Sequence, residues 1–289
     1  MSHIQDTLQT PPQTTALLIW QRLRKNRLSI VGSVLIGGFL LLAFAAPLIA
    51  PADPMAQALY NRLSPPTLEH PFGTDDFGRD ILSRVIYGAR ISLRVGVFAV
   101  LIALILGTCI GVVAGYWGGW IDQILMRMMD LLLAFPSILL AIGIVAILGP
   151  GLENAMLAVG IVAMPQYARL IRASVLTVRE TDYVMAARAL GASDWRILCV
   201  AVLPNCLAPL IVQATLGLAT AILDAAGLSF LGLGAQPPTP EWGAMLSQGR
   251  ELIVRAPWVL TFPGGAIFFT VLAFNLVGDG LRDALDPKA

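Results

Sequence analysis

VGVFAVLIALILGTCIGVVAGYWGGWI, from Val95 to Ile121, runs for 27 residues without a charge. Crossing the hydrocarbon core of a bilayer takes about 20 apolar residues in helical form. Lipid offers no hydrogen-bond partners, so such a run has to satisfy its own backbone as a helix. The same reading extends to five further runs. Leu28–Ala50 has 23 residues, Leu131–Leu152 has 22, Ile197–Leu223 has 27 and continues beyond Asp224, and Ala256–Gly278 has 23. Asn154–Ala168 has only 15, but Arg169 and Arg172 can snorkel to lengthen it. The expectation is an all-α, polytopic membrane protein with six transmembrane helices. The short alternating runs of a membrane barrel are missing.

Composition excludes several classes. Of 289 residues, 57% are hydrophobic and 13% charged, against about 25% charged in soluble domains. A net charge of +1 is too small for a nucleic-acid binder. The only lysines, Lys25 and Lys288, do not follow a glycine, so the chain has no phosphate-gripping Gly-Lys-Ser/Thr loop. Cys109, Cys199 and Cys206 have no Cys-x-x-Cys spacing and read as packing residues. His3 and His70 lack a nucleophilic partner, so neither a catalytic set nor a metal site is expected.

Lys/Arg placement orients the spans. With the N-terminus inside, 12 basic residues are cytoplasmic and 7 external (Arg62, Arg79, Arg84, Arg90, Arg94, Arg250, Arg255), which puts both termini in the cytoplasm. The first run exceeds a signal-peptide core and carries Pro47 with Pro51 just beyond it, so it reads as a retained anchor. The expected organisation is a tail at 1–27, a first helix at 28–50, an external loop at 51–92, a five-helix core at 93–281 with an external segment at 234–256, and a tail at 282–289. Tight glycine turns are expected at 116–121 and at Gly149-Pro150-Gly151.

The longest polar stretch on the expected cytoplasmic side opens ETDYVMAARALGASDWRILCVAVLP, Glu180 to Pro204. Its first half predicts a helix over Tyr183–Leu190, with Asp182 as N-cap and Gly191 as stop. Ser193-Asp194 restarts a helix that Pro204 interrupts. Taken alone, this is either a connecting loop or a rigid knob whose small Ala186 and Ala187 let a partner's backbone approach.

This stretch resembles the cytoplasmic docking motif of binding-protein-dependent ABC importer permeases: Glu-Ala-Ala, three residues, Gly, nine residues, Ile, any residue, Leu-Pro. Ala186, Ala187, Gly191, Leu203 and Pro204 match, while Met185 replaces the glutamate and Ala201 the isoleucine. Three more segments resemble the second permease subunit of dipeptide, oligopeptide and nickel importers. They are GTDDFGRD (Gly73–Asp80) with Ser83-Arg84, LSFLGLGAQPPTPEWG (Leu228–Gly243) and AFNLVGDGLRDALDP (Ala273–Pro287).

The resemblance implies the type I ABC importer permease fold in a bacterial inner membrane. Residues 182–195 become a coupling helix seated on an ATPase subunit, with Asp182, Met185, Ala186, Ala187, Arg188, Gly191, Ala192, Asp194 and Trp195 as its residues. Met185 puts a salt bridge at that position in doubt. The implied partners are a homologous second permease, two ATPase subunits that bind ATP and magnesium, a binding protein and membrane lipid; this chain itself holds no cofactor. Asp224 and Ser229 are assigned to the translocation path, although Asp224 reads equally as a structural pair member or a hydrated interface residue. Pro237, Pro238, Glu241 and Trp242 are assigned to a loop that touches the binding protein, and Trp242 and Trp258 read equally as an interface belt.

Two local pairings are also expected. Asp75, Asp76 and Asp80 would form turns and ion pairs with Arg79 and Arg84 at the aqueous surface, and Asp130 would pair with Arg127 at i−3. The implied cargo is a dipeptide or short oligopeptide, with nickel, glutathione or another small solute as alternatives. An ion-coupled transporter using Asp224 or Asp130 is the competing class, opposed by the short chain and the absence of a repeat.

Overall fold

The first helix begins at a capping side chain. Asn26 Oδ1 accepts from the Leu28 and Ser29 amides at 3.0 and 3.4 Å, and α1 runs Arg27–Ile49. The computed structural model describes residues 26–285; most of the expected N-terminal tail, with His3 and Lys25, and Lys288 lie outside them. The described chain is helical apart from turns and one isolated bridge between Thr74 and Asp80. Most of the large apolar side chains of α1 are exposed, as on a helix facing lipid. It meets the rest of the chain through small residues: a Cβ on Gly32 would stand 2.8 Å from the Ala273 carbonyl oxygen.

The second helix starts well before the apolar run that announces it. Asp80 accepts from the Ser83 amide at 2.7 Å and caps α2, Ile81–Trp117, so Arg84, Arg90 and Arg94 belong to a 37-residue helix and not to a loop reaching residue 92. α2 packs on α5 (Leu152–Arg179) through Gly107, Gly111 and Gly115. Added Cβ atoms there would lie 2.6 Å from Tyr167 Cβ, 2.5 Å from the Ala168 oxygen and 2.9 Å from Val175 Cβ. Glycines at every fourth position let two membrane helices approach backbone to backbone.

Between them the chain turns at Gly118, with φ +66°, into α3 (Gly119–Leu133) and then α4 (Ser137–Leu148). The expected span over Leu131–Leu152 takes in only the end of α3 and all of α4, two helices bent by 95° at their junction. Pro136 has no amide hydrogen and pushes Phe135 out of helical geometry, so the ladder breaks there. α5 runs 28 residues straight through Pro165. α6 is Asp182–Ala189; a turn at Asp194–Arg196 and a π-helical stretch at Ile197–Val202 lead into α7, Leu203–Phe230. Pro204 falls in the first turn of α7, where a missing amide hydrogen costs little. α8 (Trp242–Gly249) and α9 (Trp258–Leu285) complete the described chain.

Among the described residues, four helices are long and apolar enough to cross a membrane, or five if the bent α3–α4 pair is one span. The expectation of six counted α5, which is long enough but carries Glu153, Arg169, Arg172 and Arg179.

Candidate coupling segment and transport path

Residues 180–196 form a knob beyond the end of α5. Its N-cap is Thr181, one residue before the expected Asp182, which becomes the first helical residue. The C-terminus follows the glycine prediction: Gly191 has φ +80°, its amide donates to the Arg188 carbonyl at 3.0 Å, and the Ala192 amide donates to the Ala187 carbonyl at 3.1 Å. This pair of bonds closes a helix with a left-handed residue and fixes where the chain turns.

One face of the knob is anchored. Val184 is fully buried in the cluster of α2, α5 and α7 side chains, and half-buried Ala187 and Ala192 pack against it. The other face is open: Asp182, Met185, Ala186 and Arg188 are exposed, with Leu190 at 88% and Trp195 at 75%. The expected coupling residues therefore divide, with Ala187 and Ala192 turned inward and Ala186 outward. Two large apolar side chains held on a rigid turn form a contact surface that the isolated chain does not cover.

The knob is tied to the last turn of α2 by groups that the sequence reading did not single out. The Tyr116 hydroxyl donates to Asp194 Oδ1 at 2.6 Å, so that carboxylate is committed inside the chain. The Arg188 guanidinium stands 6.0 Å from the Tyr116 ring centroid, and Arg179 Nη1 donates to the Gly115 carbonyl at 2.9 Å. Upstream, Arg172 grips Asp122 through Nε and Nη2 at 2.5 and 2.6 Å, joining α5 to α3. Asp130 is paired with Arg169 of α5, not with Arg127 as its spacing suggested. Facing helices supply the better partner, because an i−3 neighbour on the same surface gains only a few tenths of a kcal/mol.

Asp224, half-buried on α7, lines a cavity of about 230 Å³ between α3, α4, α5 and α7. Ser229 does not line it. That hydroxyl is buried and accepts from the Ala235 amide at 3.1 Å, closing the turn after α7.

At the opposite end of α2, residues 50–80 and 231–257 form a cap. Arg79 Nε donates to Asp75 at 2.6 Å and its Nη2 to Gln248 at 3.0 Å, while Arg84 Nη1 donates to the carbonyls of Pro54 and Pro238 at 3.1 and 3.2 Å. Both arginines are at most 2% exposed, so the pairs expected at the aqueous surface are the interior of the cap. Asp80 also accepts from or pairs with His70 Nδ1 at 3.0 Å. Burial first, and then the charge of Asp75, push the Asp76 carboxyl above the usual carboxylate range.

Glu241 and Trp242 belong to this interior as well. Glu241 accepts from the Gly243 and Ala244 amides at 3.0 and 2.9 Å, capping α8, and Trp242 is fully buried with Nε1 donating to the Val85 carbonyl at 3.0 Å. Neither can meet an external partner; of the four residues assigned to that contact, Pro237 and Pro238 remain exposed. Trp258 Nε1 donates to the Thr74 carbonyl at 3.1 Å, so it too holds the cap. Among the described residues, no three His, Cys, Asp or Glu side chains are grouped to hold a metal ion.

Residues 107–289 match the family model for the binding-protein-dependent transport system inner membrane component, and residues 16–66 match the N-terminal TM domain of oligopeptide transport permease C. The chain is 56% identical over 284 residues to the dipeptide transport system permease protein DppC of Alkalihalophilus pseudofirmus, an alignment spanning 96% of this chain and 93% of that one. The chain belongs to the ABC-importer permeases of the peptide-transport family. The permease is also 51% identical to the di/tripeptide transport system permease protein DppC of Pseudomonas aeruginosa, over 93% of this chain and 91% of that one. To the glutathione transport system permease protein GsiD of Escherichia coli it is 50% identical, over 93% and 89%.

Among solved structures, the inward-facing methionine ABC transporter MetNI superposes with a TM-score of 0.59 at 20% identity, over 71% of this chain and 98% of that one. That likeness shows a shared fold, and the family model makes the chain an inner-membrane component. The family model and the curated relatives make this chain the permease component of a binding-protein-dependent transport system.

Proposed function

We propose that this permease moves dipeptides or short oligopeptides into the cell, powered by ATP hydrolysed on its partners. It spans the bacterial inner membrane six times, α5 completing the set, with both termini and the knob in the cytoplasm and the cap outside. A homologous second permease completes the path, two ATPase subunits seat the coupling segments, and a binding protein delivers cargo to the cap at Pro237–Pro238. Asp224 lines the path.

The observation that carries this reading is the knob: a rigid turn with Leu190 and Trp195 exposed, anchored by Val184 and tied to α2 through Tyr116. With Met185 in place of a carboxylate, its contact with the ATPase is apolar, and closure of the ATPases moves α2 and α5 through those ties. In proteoliposomes holding both permeases, both ATPases and the loaded binding protein, L-alanyl-L-alanine accumulates only with ATP. Uptake driven by an ion gradient through this chain alone would overturn the reading. A Gly/Ser linker replacing 237–240 lowers uptake and leaves assembly intact; normal uptake would remove the binding-protein contact. The likeness to glutathione permeases favours a second cargo, glutathione, over nickel, for which the described residues offer no ligand cluster.

A further inference from the structure

We propose that the cavity at Asp224 is a binding subsite for a primary ammonium group on the transported solute. The inference rests on the peptide-import reading and names the group by which the path recognises its cargo. Among the described residues, Asp224 is the half-buried or buried carboxylate that has neither an ion-pair nor a hydrogen-bond partner. The other carboxylates sheltered from solvent are all engaged: Asp75, Asp122 and Asp130 with arginines, Glu241 with helix amides. An ionised group six residues inside the end of a membrane helix, about 9 Å along its axis, is costly unless water or an opposite charge reaches it. Among the described residues no cation reaches it, and a cationic group on the solute is the counter-charge that the cavity can admit.

The lining fits that chemistry. Ser137, Gln166 and Thr220 stand in the same wall as Asp224, and Phe135, Leu223 and their neighbours make the remainder apolar. An ammonium carries three donors and no acceptor. It is matched by one carboxylate and neutral oxygens: the Thr220 hydroxyl hydrogen is already given to the Gly217 carbonyl at 3.0 Å, leaving its oxygen to accept. One carboxylate among neutral oxygens does not make a divalent-metal site, which needs six or more oxygen ligands or several charged ones. The volume of about 230 Å³ is below that of pockets enclosing drug-sized ligands, about 300–1,000 Å³, which suits a small group such as the amino end of a short peptide. The cavity is also bounded by the α3–α4 bend, and α3 is locked to α5 by the Asp122 and Asp130 pairs. Movement of the knob at the end of α5 therefore reshapes this wall, as a subsite that must release its cargo requires.

The test uses the assembled importer, with both permeases and both ATPases but no binding protein or nucleotide, in lipid nanodiscs. A membrane-soluble carbodiimide labels accessible carboxyls, mass spectrometry reads the rate at Asp224, and Asp224→Asn confirms the assignment by removing the labelled site. L-alanyl-L-alanine at about twice its Kd slows labelling about threefold, whereas N-acetyl-L-alanyl-L-alanine at the same concentration leaves the rate unchanged. Equal protection by both peptides, or by neither, overturns the subsite. So does an Asp224 that resists labelling without any peptide, which would mean that a cation of the second permease already neutralises it. The two readings fail separately. Uptake of L-alanyl-L-alanine without amine-dependent protection removes the subsite alone, while protection without any uptake removes the import reading.

Discussion

The two ends of α2 are built in opposite ways. At the cap end, charges are buried and held within the chain: Arg79 meets Asp75 and Gln248, and Arg84 meets the Pro54 and Pro238 carbonyls and stands 3.6 Å from Asp75, although its Nη2 is left without a hydrogen-bond partner. At the knob end, large apolar groups are exposed and unanswered, with Leu190 and Trp195 held on a turn by Val184 and Tyr116. The cap finds nearly all of its polar partners within one chain, Arg84 Nη2 and Gln248 Nε2 excepted, as suits a platform that keeps its shape while a soluble partner comes and goes. The knob has the rigidity of a folded element without a folded surface, which is the condition of a part whose remaining contacts lie on another subunit.

The largest expected effect is at the cap. Arg79→Ala takes from buried Asp75 its direct partner and leaves it Arg84 Nε at 3.6 Å, and since breaking a buried pair outright costs about 3–5 kcal/mol, a loss of about 3 kcal/mol is expected. Thermal unfolding of the purified permease in detergent checks this, and a loss no greater than that of an exposed arginine would erase the contrast. Trp195→Ala, by the same measurement, shifts stability by less than about 0.5 kcal/mol, as for an exposed position. In cells it prevents co-purification of the ATPase subunits, so the two variants separate stability from assembly.

Between the ends, Gly111→Ala sets a Cβ 2.5 Å from the Ala168 carbonyl oxygen and forces α2 away from α5. Such overpacking costs about 1–3 kcal/mol. It sharpens the comparison, because loosening this seam should reduce transport while both ends keep their local structure. Tyr116→Phe removes one hydrogen bond to Asp194, worth about 1 kcal/mol. Hydrogen exchange should then quicken in the knob and stay unchanged in the cap.

The smallest effect is at Asp76. Its folded-state carboxyl binds its proton more tightly than in the unfolded chain, so its contribution to stability is greatest below the unfolded value and is lost as pH rises through the raised one. Asp76→Asn behaves as the protonated form throughout. Its advantage over the natural chain should thus grow as pH rises from about 3 to about 6, and a constant difference would remove the burial argument.

The two ends were not equally legible. In the knob, the stop at Gly191 and the restart at Ser193-Asp194 follow from backbone preferences that act within a few residues. The seam of Gly107, Gly111 and Gly115 was also written in the sequence at a spacing of four, but a long apolar run hides it when read only for length. Partner choice was not legible. Asp130 looked toward Arg127 because local rules see only the same helix, yet Arg169 of α5 holds it. Trp242 and Glu241 read as surface groups beside a proline cluster, and only the packing of α8 against α2, α7 and α9 buries them. The break at Pro136 was visible as a proline; its depth, a 95° bend, depends on the helices that receive α4.

The most direct test of the account places a single cysteine at position 195, with Cys109, Cys199 and Cys206 replaced, and labels it with a membrane-impermeant maleimide. The account predicts labelling in inside-out vesicles only, and its loss when the ATPase subunits are bound. Labelling in right-side-out vesicles, or labelling that the ATPases leave untouched, would contradict it.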